Sequence, residues 1–158
     1  MRKAALAVVV SVLSIPVGIE AQAPVPELEG AWLITEMAAG DQTLTSPQPG
    51  LLLFTGRYYS YTLVTGSEPR RPIPPGVASA PDLLRAWNPF SANAGTYEIS
   101  GDSMIRYPIV AKNPATMAPG TYNEYTFRLS ADTLWVTTVG TETGPARNPT
   151  TVKYVRQQ

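Results

Sequence analysis

Glu36 and Arg106 are the two side chains whose chemistry would count most if strand geometry turned both of them inward. A carboxyl group removed from water can serve as a general acid or base. Beside a guanidinium it either neutralises a buried charge or leaves a donor and an acceptor for a ligand. Tyr59, Tyr61, Tyr97, Tyr125 and Phe127 would surround the pair with rings and hydroxyls. Such a lining suits a flat apolar molecule carrying a few polar groups. The competing arrangements are exposure of Glu36 through a β-bulge, mutual neutralisation, or an interior filled by its own rings.

The 158 residues include no histidine and no cysteine. A Ser-His-Asp triad, a thiol nucleophile, a disulfide and a thiolate or imidazole site for zinc or haem are therefore excluded. Catalysis would have to rest on carboxylates, Tyr, Lys, Arg, Ser or a bound ligand. No metal site and no cofactor is expected.

The elements that must position these side chains read as strands. Short apolar segments alternate between regularly placed glycines, and β-branched and aromatic residues fill them. Eight strands are expected, around Trp32–Met37, Leu51–Thr55, Tyr58–Val64, Thr96–Ile99, Met104–Tyr107, Glu124–Leu129, Thr133–Thr138 and Thr151–Val155. Proline, at 16 residues, has about twice its usual share of ~5%. Long helices are not expected to dominate. One irregular stretch, residues 65–94, holds six of the prolines and is longer than a hairpin requires. Within it, Ser79 to Trp87 has a capping serine, an early proline and Asp, and an apolar Leu83, Leu84, Trp87 face. A short helix over one end of the sheet is predicted, as a plug packed on the core or as a lid.

Residues 1–23 read as a secretory signal. Arg2 and Lys3 precede an apolar run from Ala4 to Ile15, and Ala21-Gln22-Ala23 offers small residues for cleavage. The run is shorter than the ~20 residues of a membrane span. The mature domain is then 24–158, secreted or periplasmic, with no span after cleavage. Setting aside Arg2, Lys3 and Glu20 leaves ten basic and eleven acidic residues. This balance offers no electrostatic reason to expect nucleic acid as a partner.

Eight sequential antiparallel strands hide their edges best by closing on themselves, so the expected fold is an all-β, eight-stranded up-and-down barrel. A β-sandwich is the alternative. If Trp32 points inward, simple alternation carries Ile34 and Glu36 inward and Leu33, Thr35 and Met37 outward. The same parity turns Phe54, Tyr59, Tyr61, Tyr97, Ile99, Tyr125, Phe127 and Tyr154 inward, and puts Arg106 on the face of Met104.

Gly30-Ala31-Trp32 looks like the Gly-x-Trp that opens lipocalins and their calycin relatives. Further matches run through Pro49-Gly50, Phe54-Thr55-Gly56-Arg57-Tyr58-Tyr59-Ser60, Phe90, Ala92, Gly95-Thr96-Tyr97-Glu98-Ile99, Asp132-Thr133-Leu134-Trp135 and Tyr154-Val155-Arg156. In this order they resemble the bacterial lipocalin-like domain family over nearly the whole mature chain. The Pro-rich 65–94 segment departs from it. The resemblance implies an up-and-down barrel, and many of the family's members have no assigned ligand. It also has a physical reading. Trp32 on the first strand and Arg156 on the last would meet where the barrel closes and stack as a cation–π pair.

Three functions follow as expectations. The first is a secreted lipocalin-like binding protein holding a small hydrophobic or aromatic ligand inside the barrel. The second is a cofactorless isomerase or cyclase using Glu36 with Tyr61 or Tyr97 in a dry pocket. The third is an interaction module with a filled barrel, acting through the Pro-rich loop.

Overall fold

The computed structural model describes residues 25–73, 75–76 and 78–158, so the expected leader lies outside the described residues. Ten strands form one antiparallel sheet: β1 (Gly30–Ala39), β2 (Gln42–Leu44), β3 (Gly50–Thr55), β4 (Tyr58–Val64), β5 (Phe90–Ser100), β6 (Ser103–Ala111), β7 (Asn123–Ser130), β8 (Thr133–Thr141), β9 (Gly144–Pro145) and β10 (Thr150–Gln157). One helix, α1 (Ala80–Trp87), precedes β5. Neighbours run β10-β1-β3-β4-β5-β6-β7-β8, and β10 also pairs with β8, so eight strands close into a barrel. β2 and β9 are short additions on β1 and β8. Closure leaves no edge on the eight main strands and rules out the sandwich.

Tight turns at 56–57, 101–102 and 131–132 gather at one end, the base, together with the start of β1 and the end of β10. A 3-10 turn, Pro26–Leu28, crosses this base and drives Leu28 into full burial. The Trp32 indole Nε1 donates to the Leu28 carbonyl at 2.9 Å, and the Gly56 amide donates to Glu29 Oε1 at 2.6 Å. The Arg156 guanidinium lies over Trp32 and donates to the carbonyls of Glu29 and Glu27. Gly30 sits beneath that guanidinium with φ +119°, and a Cβ there would stand 3.3 Å from Arg156 Nη1. Both facts call for glycine, which explains the Gly-x-Trp spacing in physical terms. The core built on this base contains Trp32, Leu52, Phe54, Tyr59, Tyr97, Met104, Leu134, Val136 and Tyr154.

Three bulges bend the barrel, and one overturns an expected orientation. In β1, Ile34 faces Tyr154 and Glu36 faces Lys153, leaving Thr35 as the extra residue. Directly opposed residues share a face. Tyr154 is buried, so Lys153 points outward, and so does Glu36 across from it. Met37, expected outside, is instead opposite Val152, which packs on the core.

Two further expectations need correction. β5 begins at Phe90, not near Thr96, so the irregular stretch ends earlier than its composition suggested. α1 forms as predicted, with a capping box between Ser79 and Asp82, but none of its residues is buried. Leu83, Leu84 and Trp87 are all more than half exposed, so the helix is not a plug in the core.

Candidate functional site

β6 alternates Met104 and Arg106 into the barrel, and the bend of the sheet brings both against the aromatic wall. Arg106 is 3% exposed. Its guanidinium carbon lies 4.5 Å from the ring centroid of Tyr125, 5.1 Å from Tyr59 and 5.5 Å from Phe54. Cation–π attraction offsets part of the cost of burying a permanent cation. Its Nε donates to the Met104 thioether at 3.1 Å, a weak acceptor, and Nη2 has no partner within the protein. Among the described residues the ion pairs are Arg85–Asp82 and Arg156–Asp132, and neither reaches the barrel interior.

The hydroxyls around this cation are shielded from water. Burial pushes Tyr59, Tyr125 and Tyr154 above the ordinary phenol range, against the opposing pull of Arg106, and Tyr154 rises to about 12. The Tyr59 hydroxyl has no partner within the protein. Tyr61, two residues along β4, shares a hydrogen bond of 3.0 Å with Ser91 Oγ on β5. Asn93, opposite Tyr61, is buried at Oδ1 and also lacks a partner there. Three unpartnered polar atoms thus stand on adjacent strands β4, β5 and β6.

At the end opposite the base lies a recess of about 360 Å³, lined in part by Tyr61, Ser91, Asn93, Phe90 and Lys112. A larger crevice of about 930 Å³ runs between the Pro-rich segment and α1, among Arg70, Arg71, Asp82 and Arg85. None of the residues with unpartnered buried atoms lines it, whereas Asn93 lines the smaller recess. Lys112, at the rim, donates from Nζ to the carbonyls of Trp87, Asn88 and Phe90 and faces the Trp87 ring at 5.1 Å. It holds the C-terminal end of α1, where exposed carbonyls favour a cation.

The structure brings Tyr59, Tyr61, Tyr125 and Arg106 together. Phe127 lines the same interior. Tyr97 is buried nearer the base, edge-on to Phe54 at 4.9 Å, and its hydroxyl donates to the Gly56 carbonyl at 3.0 Å. It serves the closure and is not part of the recess. Glu36 is on the outer face beside Lys153, which leaves Arg106 without the carboxylate partner expected for it and removes a couple between Glu36 and Tyr61 or Tyr97. Ser91 and Asn93 were not foreseen. The signal was there, since stepping back by twos from Tyr97 through Gly95 reaches both. A run of Ser, Ala and Asn lacks the β-branched residues that mark a strand.

Among the described residues no group of three or more carboxylates gathers to ligate a metal ion, and no helix is long and apolar enough to cross a membrane. No protein-family model matches the chain, and no curated protein sequence matches it.

Proposed function

We propose that this chain is a lipocalin-like binding protein that holds a small, largely apolar or aromatic molecule in the open half of its barrel, and that it works outside the cytoplasm. The observation that carries the reading is the set of buried polar atoms without protein partners, Tyr59 Oη, Asn93 Oδ1 and Arg106 Nη2, together with a rim recess that Asn93 itself lines. A barrel meant only to be filled would pair such groups or replace them with hydrocarbon, because each one left alone costs about 1–3 kcal/mol. Rings with hydroxyl tips give a ligand both apolar contact and orientation. The recess volume lies in the ~300–1,000 Å³ range of small-molecule sites.

Catalysis has less support, since the only acid proposed for it faces away from the interior. The test is native mass spectrometry of the protein purified from its own host, with a fluorescent apolar dye as a displacement probe. A copurifying small mass that displaces the dye supports binding. Protein that takes up neither a host molecule nor the dye overturns it.

A further inference from the structure

The polar groups of the interior also specify what kind of head group it takes. Among the described residues Arg106 carries the only cationic side chain of the core, at 3% exposure. Three aromatic rings face its guanidinium, one N–H group meets only a thioether, and another meets nothing in the protein. Aromatic faces attract a cation but do not accept its hydrogen bonds in the plane of the fork. That plane is where a carboxylate binds. The Tyr125 hydroxyl oxygen takes a hydrogen bond from Arg106 and still carries a proton of its own. Burial keeps Tyr59 and Tyr125 protonated, so each can donate to an anion beside the guanidinium. The register makes the same point in the negative. The bulge at Thr35 turns Glu36 outward, and no other acidic residue of the described chain is among the buried ones. The cation has been left without an internal counter-charge in a medium where charge is costly.

We infer that Arg106, with Tyr59 and Tyr125, binds the carboxylate of a small monocarboxylic acid whose apolar body extends through Tyr61 and Asn93 into the rim recess. This rests on the binding reading above and names its ligand class. One carboxylate fits one guanidinium. The low polarity of the wall excludes more highly charged molecules. The recess sets the size of the body.

The probes are decanoate and 2-naphthoate, each compared with its primary amide by isothermal titration calorimetry. At least one acid is expected to bind to the wild-type protein ten-fold or more tightly than its amide, the margin of one charge-assisted contact. Arg106→Met is expected to bring that acid down to the amide's affinity while leaving the amide within about two-fold. Because Met retains the apolar stem and removes an uncompensated charge, the ligand-free variant is expected to melt at or above the wild-type temperature. Should the variant fail to fold, the wild-type comparison of acid with amide decides alone. Equal binding of acid and amide overturns the carboxylate assignment and leaves the binding reading standing. Binding of none of the four probes also overturns the carboxylate assignment, and the binding reading is then decided by uptake of a host molecule or the dye.

Discussion

The guanidinium of Arg156 lies 4.1 Å from the centroid of the Trp32 indole and holds two carbonyls of the segment that crosses the base. One side chain therefore joins the last strand, the first strand and the turn before it. Arg156→Ala removes a stacked cation and two charge-assisted hydrogen bonds. A loss of about 2–4 kcal/mol is expected, read as a lower urea midpoint at constant slope. Ligand affinity of the folded fraction stays unchanged, because the recess is at the other end.

Glu36→Gln tests the bulge. An outward carboxylate near Lys153 is a surface group, so stability is expected to move by less than about 0.5 kcal/mol and ligand affinity not at all. A large loss of either, measured by thermal melting and by dye displacement, would return Glu36 to the interior and restore the acid–base hypothesis.

Gly95 sits at the β5–β6 bulge, where an added Cβ would lie 1.9 Å from the Tyr107 carbonyl oxygen. That atom belongs to the backbone and cannot swing aside. Gly95→Ala is expected to cost about 3 kcal/mol or more. A denaturant titration showing near-wild-type stability would refute this packing.

Alkaline pH acts through the buried phenols. Their folded pKa values are above the unfolded value of 10, so the native state keeps protons that the unfolded chain gives up. Their contribution is fully present below about pH 10 and declines as pH rises toward about 12, the value for Tyr154. Each such group removes about 1.4 kcal/mol per pH unit across that window. Tyrosinate absorbance from these residues should appear together with loss of near-ultraviolet circular dichroism and not before it.

Lys112→Met removes the cation that holds the end of α1. Amide hydrogen exchange is expected to accelerate in α1, most of all at Asn88, whose N–H donates to Leu84. The barrel strands should keep their protection. Uniform acceleration throughout the chain would show that the helix is integral to the core.

The eight barrel strands and their closure were legible because period-two alternation survives in short segments, and Trp32, Phe54, Tyr59 and Tyr154 lie inside as that period predicts, whereas the short β2 and β9 were not foreseen. Orientation beyond Thr35 was not legible. A bulge is one extra residue in one strand, set by the partner's register, and alternation within β1 alone carries no trace of Lys153. Hydrophobicity held a clue, since Met37 is the more natural inward residue of the Glu36-Met37 pair. Similarly, Ser79 and Asp82 announce the start of α1 through local hydrogen bonds. Whether Leu83 and Trp87 meet the core depends on where the Pro-rich segment carries the helix, which local sequence does not encode.

Leu28, Trp32 and Arg156 seal the base of the barrel, so a ligand of the kind proposed would have to enter from the opposite end. Arrival and departure of such a ligand would then share the same route, past Tyr61 and beside Lys112. A substitution that narrows this end should slow both rates in step, while removal of a contact deeper in the barrel should act on residence time.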